Sequence, residues 1–304
     1  MKRLAFYLFY TITKILALLP LRLLYVISDI NRFLLYYVLR YRRKTVTTNL
    51  KNAFPDKSKE ELKAIEWKFY RHLCDLFAEI IFLLHSGAKR AAKLCTFSNV
   101  ELVNSYYQQG KSVVAAGGHF GNWELYGLFP LYIKHTVLGA YKPLNNKPID
   151  EFIKKSRERF GCVTIPMYSI SRVALKWSQE GKPFFLGLIN DQSPSRSHIG
   201  YWTTFLNQET PVYIGTEKIA RKINQPVVFC YIRKLKRGKY EANVELLVEE
   251  PGLTKPHEIT EMHLRALERV INEAPEYWLW SHKRWKHKRD VTTNSLQAGN
   301  EHTP

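Results

Sequence analysis

Cysteine is scarce in this 304-residue chain, and its placement suggests no chemistry. The four residues, Cys74, Cys95, Cys162 and Cys230, are scattered, without a CxxC pair or a short His/Cys spacing. That excludes a disulfide framework, leaves no third ligand spaced for a metal, and suits a reducing compartment. No metal or organic cofactor is implied. Acidic residues are also few: 27 Asp and Glu stand against 46 Lys and Arg, a formal net charge of +19. Such a deficit points to an anionic partner, whether nucleic acid, an acidic membrane leaflet or an acidic protein. RNP-type motifs, basic heptads and zinc modules are missing, so nucleic acid is the least supported of the three. A G-x-S-x-G elbow is missing too, which removes the usual serine nucleophile of α/β hydrolases.

Long uninterrupted apolar runs are lacking as well. Residues 1–38 are rich in Leu, Tyr and Phe, but Lys14, Pro20, Arg22, Asp29 and Arg32 break them up. A membrane span needs about 20 largely apolar residues. The segment reads as a retained hydrophobic anchor, spanning the bilayer or lying in its interface, because an A-x-A-like cleavage site is absent. The basic cluster RYRRK at 40–44 follows directly and places the bulk of the chain on the cytoplasmic side. The plain alternative is a helical hairpin buried in a soluble core.

Beyond the anchor, Ser58 and Glu61 have capping-box spacing, which predicts a helix from about 59 to 84. From about 111, short apolar runs alternate with helical stretches. KSVVAAG, TVLGAY, CVTI, PFFLGLI and PVVFCYI are strand candidates, and KYEANVELLV alternates as an outer strand would. Helices are expected at 149–160, 170–180, 211–224, introduced by Thr210-Pro211, and 256–273. This pattern predicts an α/β fold: one domain over 39–289, a largely parallel sheet flanked by helices, preceded by the helical anchor. Residues 290–304 are polar and read as a disordered tail.

The chemistry concentrates in GGHFGNWE at 117–124, where the run KSVVAA ends. Ligands and catalysts in open α/β sheets gather beyond the carboxyl ends of strands. His119 and Glu124 could meet there if His119 sits in the turn and Gly121 supplies backbone latitude. The pair would then act as a general base and the carboxylate that sets its tautomer. With no protein nucleophile nearby, direct transfer onto an acceptor hydroxyl fits best. The bare His/acid spacing recurs by chance in many chains; the double glycine and the strand end are what lift it.

GGHFGNWE resembles the His-x4-acid signature of the glycerolipid acyltransferase superfamily, and in particular the late acyltransferases of lipid A biosynthesis. Further segments agree in the same order: RRKTVTTNLKNAFPDKSKEE at 42–61, YKPLNN at 141–146, NDQSPS at 190–195 and PEYWLWSHKRWKHK at 275–288. The resemblance spans roughly 35 to 288. It implies His119 as base and Glu124 as its orienting partner. It also implies substrate contacts at Lys142, Asn145, Arg157, Arg159 and Asp191. The donor would be an acyl thioester on acyl carrier protein. The acceptor would be a hydroxyl of a lipid A precursor, or a related glycolipid or lysolipid, at the cytoplasmic face of a bacterial inner membrane. Arg157 and Arg159 read equally well as a solvated helix face, and Asp191 as a cap or turn residue. The sequence departs from the family at Lys142, where many members have Arg, at Asn190 and at FLN 205–207. These differences bear on the acceptor rather than on the dyad. YWLWSHKRWKHKR at 277–289 interleaves aromatic and basic residues as an interfacial belt does, although Trp278 or Trp280 alone would also suit a core. Two rivals remain at this level: an acyltransferase for another lysolipid or aminolipid, and a non-catalytic scaffold binding membrane or carrier protein. Hydrolysis is an expected side reaction.

Overall fold

The structure, a computed structural model, describes residues 2–289, so the tail expected at 290–304 lies outside the described residues. Pro20 divides the hydrophobic start into helices α1 (Lys2–Leu18) and α2 (Leu21–Phe33), and α2 runs on into a π turn at Leu34–Val38. Proline lacks an amide donor and fits a helix start, which explains the break at that point. Among the described residues no helix is long and apolar enough to cross a membrane. Helix α3 (Arg43–Ala53) follows, then α4 (Lys59–Leu84). The expected capping box closes α4: Glu61 N donates to Ser58 Oγ (3.2 Å) and Ser58 N to Glu61 Oε2 (2.7 Å).

Nine strands follow among the described residues: β1 (Cys95–Ser98), β2 (Val113–Gly117), β3 (Thr136–Tyr141), β4 (Val163–Pro166), β5 (Phe184–Ile189), β6 (Tyr201–Phe205), β7 (Gln208–Val212), β8 (Val227–Lys236) and β9 (Lys239–Val248). The short α5 (Ala88–Ala91) precedes β1, α6 (Val100–Gln108), α7 (Lys147–Glu158), α8 (Ile170–Gln179) and α9 (Gly215–Ile223) lie between the strands, and α10 (Glu258–Glu273) comes after. The main sheet has the order β1-β9-β8-β2-β5-β3-β4. Its pairings are parallel except at the β8–β9 hairpin, which reverses β9 and β1. An α/β fold with a mostly parallel sheet between helices is therefore what forms. KYEANVELLV is β9, one place in from the edge, because β1 pairs outside it.

Strand β2 is central and wholly buried, so its residues serve two cores. Val114 packs with Leu138, Leu186 and the α8–α10 side chains Ala174, Ile219 and Ile259. Val113 and Ala115 face Phe129, Phe185 and α6. A fully buried side chain of this size contributes about 1.5–3 kcal/mol. The expected helix at 211–224 starts later: Thr210 and Pro211 lie in β7, paired with β6 in a separate two-stranded sheet, and the helix begins at Gly215. Pro211 can occupy this strand because a two-stranded ribbon leaves one side of each strand unpaired.

The mostly apolar buried face of α4 also carries the carboxylates of Asp75 and Glu79. Asp75 accepts from Arg237 Nη2 (2.6 Å), Lys234 Nζ (3.1 Å) and Ser28 Oγ (2.8 Å). Glu79, wholly buried, accepts from Tyr25 (2.8 Å), Tyr240 (2.7 Å) and Asn122 (2.8 Å). One helix thus ties α2, the β8–β9 hairpin and the loop after β2 together. Buried carboxylates are tolerable only with such full hydrogen bonding.

Candidate active site

Parallel pairing of β2 with β5 puts Gly117 opposite Ile189. His119 and Asp191 each lie just past those strand ends, and the geometry brings them together. His119 Nδ1 is 2.6 Å from Asp191 Oδ1, and His119 N donates to Asp191 Oδ2 (2.8 Å). Trp278 Nε1 donates to the same Oδ2 (2.8 Å). Asp191 is 2% exposed, so it is a buried carboxylate whose oxygens are engaged.

Two glycines allow this approach. A Cβ on Gly118 would stand 2.7 Å from Leu267 Cδ1 and 3.5 Å from Asp191 Oδ2. Gly121 has φ +63°, and a Cβ there would fall 2.0 Å from the Ile232 carbonyl oxygen. Only glycine fits such a turn. Gly121 N donates to Tyr277 O (3.0 Å), His72 Nε2 meets Gly121 O (3.1 Å), and Phe120 bridges Trp278. The loop is clamped between α4 and the C-terminal segment.

The electrostatics follow. Burial alone would lower the His119 pKa, but the charge and hydrogen bond of Asp191, with help from the charge of Glu124, outweigh it and raise the pKa above the ordinary imidazole value. Burial works to raise the Asp191 pKa, yet His119, the His119 amide and Trp278 hold it well below the usual carboxylate range. The proton on Nδ1 faces Asp191, leaving Nε2 as the basic nitrogen.

Glu124 is not the partner of that imidazole. Residues 123–131 form a 3-10 helix rather than an α-helix, and Glu124 turns toward α7. Arg157 grips it with a fork: Nη2 to Oε1 at 2.7 Å, Nη2 to Oε2 at 3.0 Å and Nε to Oε2 at 3.1 Å. Burial tends to lower the Arg157 pKa, but Glu124 more than restores it. Arg157 therefore belongs to the site's surroundings through Glu124. Arg159 does not point the same way. Its Nη2 donates to the carbonyls of Leu83 (3.0 Å) and Leu84 (3.1 Å), where a cation complements the end of α4. Lys142 and Asn145 are exposed in the loop after β3, where the Asn145 carbonyl accepts from Lys2 Nζ (3.5 Å).

The C-terminal aromatic segment is largely core rather than belt: Trp278 and Trp280 are 2% and 0% exposed. Trp285 Nε1 donates to Thr210 Oγ1 (2.7 Å), and His282 Nε2 accepts from Ser193 N (3.0 Å). Burial pushes the His282 pKa down to about 4, so it is a neutral acceptor that shapes the 190–195 loop. Gln192 Nε2 lies 3.2 Å from His119 Nε2, and sequence reasoning missed Gln192, Trp278 and His282 as site residues. The PEYWLWSHKRWKHK and NDQSPS matches were the available signal, since both motifs converge here.

The site is thus a partly buried His119 paired with a buried Asp191 at the carboxyl edge of the parallel part of the sheet. The sequence comparisons define the class of protein. The model of the family described as bacterial lipid A biosynthesis acyltransferase matches residues 1–287. The chain is 23% identical over 252 residues to a lipid A biosynthesis lauroyltransferase of Escherichia coli (strain K12), covering 82% of this chain and 80% of the relative. It is also 23% identical over 261 residues to the palmitoleoyltransferase of the same organism and to a lipid A biosynthesis acyltransferase of Shigella flexneri, covering 85% of this chain and 83% of each. The chain belongs to the bacterial lipid A biosynthesis acyltransferase family and is an O-acyltransferase.

Proposed function

We propose that the protein moves a fatty acyl chain from acyl carrier protein to a hydroxyl of a lipid A precursor, working at the cytoplasmic face of an inner membrane. The observation that carries this reading is the 2.6 Å contact of His119 Nδ1 with Asp191, which leaves Nε2 as the base. The acceptor hydroxyl gives its proton to Nε2 while its oxygen attacks the thioester carbonyl. The carbon–sulfur bond then breaks, and the imidazolium returns the proton to the departing thiolate. Such a base contributes about 10²–10⁴-fold. The orienting role expected of Glu124 passes to Asp191. Glu124 instead holds Arg157 in place, and the guanidinium supports negative charge on the carbonyl oxygen or on a substrate phosphate.

Membrane association is supported by the outer faces of α1 and α2. Leu8, Ile15 and Leu18 on α1 and Val26, Ile30 and Phe33 on α2 all stand more than half exposed. They recur at the three-, four- and seven-residue spacings of one helix face. A soluble surface seldom carries a stripe of that kind, whereas an interfacial helix does. The first turn of α1 touches the loop after β3, where Asn146 Nδ2 donates to Lys2 O (3.3 Å). The lipid-seeking helices therefore border the sheet's carboxyl edge. The net charge of +19 suits both an acidic carrier protein and anionic lipid.

The test is acyl transfer in detergent with labelled acyl–acyl carrier protein, offering lipid A precursors and lysophospholipids separately. Label in a lipid A precursor supports the proposal. Label only in a lysolipid replaces the acceptor, and no label in any lipid favours the scaffold reading.

A further inference from the structure

Asp191 leaves His119 with one basic nitrogen, and a side chain of the same protein already occupies it. The proton on Nδ1 faces Asp191 Oδ1 across 2.6 Å, so Nε2 carries the lone pair. Gln192 Nε2 lies 3.2 Å from it. A lone pair only accepts, so the amide presents its NH2 there as the donor. Adjacent residues of one loop thus reach both nitrogens of one imidazole, Asp191 from behind and Gln192 from in front. The loop is fixed just beyond, where Ser193 N donates to His282 Nε2.

We infer that Gln192 is a specificity-determining residue: its amide stands where the acceptor hydroxyl must come, caps the base in the free protein, and yields to an acceptor held by contacts of its own rather than to water. This rests on the reading of His119 as the base. The reaction it suppresses is hydrolysis of the bound thioester. Water gives a proton to Nε2, its oxygen bonds the acyl carbon, the carbon–sulfur bond breaks, and the proton passes to the thiolate. A fatty acid and a free thiol leave. The steps match transfer, with water in place of the hydroxyl, so only occupancy of Nε2 separates them. An enzyme whose donor waits for a membrane-bound acceptor needs that separation.

A neutral hydrogen bond of this kind shifts an equilibrium by roughly 2- to 10-fold. Donation to the lone pair also favours the unprotonated imidazole, so its loss moves the titration of His119 up. The other charged or titratable groups around this imidazole are Asp191 beyond β5, Glu124, which Arg157 of α7 holds, and His282 of the C-terminal segment, while His263 of α10 and Arg284 act on Asp191. All stay in place in the variants, so the difference reads Gln192 alone.

The experiment uses the full chain in detergent, as wild type, Gln192→Leu and the near-isosteric Gln192→Glu. Dodecanoyl–acyl carrier protein is supplied with and without a lipid A precursor. In parallel, diethyl pyrocarbonate modification of His119 is followed by peptide mass across pH. Gln192→Leu is expected to raise hydrolysis without acceptor by roughly 2- to 10-fold relative to transfer. Its modification should be faster, with the pH midpoint moved up. Gln192→Glu places a carboxylate against Nε2, holds the imidazolium, and lowers both rates at neutral pH. An unchanged hydrolysis-to-transfer ratio and unchanged modification in Gln192→Leu would overturn the inference. If no protein turns over thioester while modification still responds, the contact stands and the reading of function falls.

Discussion

Asp191→Asn isolates the orienting carboxylate with almost no change in shape. Asp191 Oδ2 accepts from two fixed donors, the His119 amide and the Trp278 indole, each at 2.8 Å, and Oδ1 faces His119 Nδ1 at 2.6 Å. Asparagine has one oxygen for these two sides. With its oxygen toward the amide and indole, its NH2 faces Nδ1 and donates to it, forcing the ring proton onto Nε2. With the amide flipped, two buried donors lose their acceptor, at about 1–3 kcal/mol each. The first arrangement is therefore favoured by about 2–6 kcal/mol, and it blocks the base. Transfer should fall by about 10²–10⁴-fold with the fold intact. The assay is single-turnover transfer from acyl–acyl carrier protein, with the melting temperature measured alongside. Activity within a few-fold of wild type in a fully folded variant would refute the tautomer argument.

Other perturbations have equally definite outcomes. Arg157→Lys keeps the charge but loses the fork on Glu124, so transfer should drop by about 10–100-fold while His119 modification is little changed. For the pH dependence, the His119 pKa is raised, so kcat/KM should be lost as pH falls through a value above the ordinary imidazole one, and Asp191→Asn should move that limb down. The stability linked to His119 runs the other way: a raised pKa stabilises the fold at low pH and is lost as pH rises through the folded value. Asp75→Ala leaves Lys234, only 8% exposed, without its carboxylate and should cost about 3–5 kcal/mol in urea unfolding. Burial works to raise the Asp75 pKa, but the hydrogen bond from Arg237, the charge of Lys234 and the Ser28 contact lower it, so its contribution is present above the ordinary carboxylate range and fades as pH falls.

What was legible in the sequence was local or periodic. The capping box at Ser58 needs only residues three apart, and the apolar runs of β2, β5 and β8 announce buried parallel strands. The glycines at 117–121 marked the turn that carries His119. The partner of that histidine was not legible, because it comes from 72 residues away. It is brought close by strand order, which composition does not encode, and the near-sequence Glu124 was the tempting choice. Thr210-Pro211 carried a helix-start signal that the β6–β7 ribbon overrode. The aromatic–basic C-terminus looked interfacial because alternating Trp and Lys reads the same on a belt as in a segment that buries its tryptophans and exposes its lysines. The buried carboxylates of α4 were hidden for a similar reason: Asp75 and Glu79 look like surface residues until Arg237, Tyr25 and Tyr240 cover them.

The most direct test of the central claim is single-turnover acyl transfer to a lipid A precursor by wild type and His119→Ala, with the product identified by mass. The account predicts one added acyl chain with wild type and a loss of about 10²-fold or more in the variant, whose melting temperature stays near that of wild type. Equal transfer by the two proteins would contradict it.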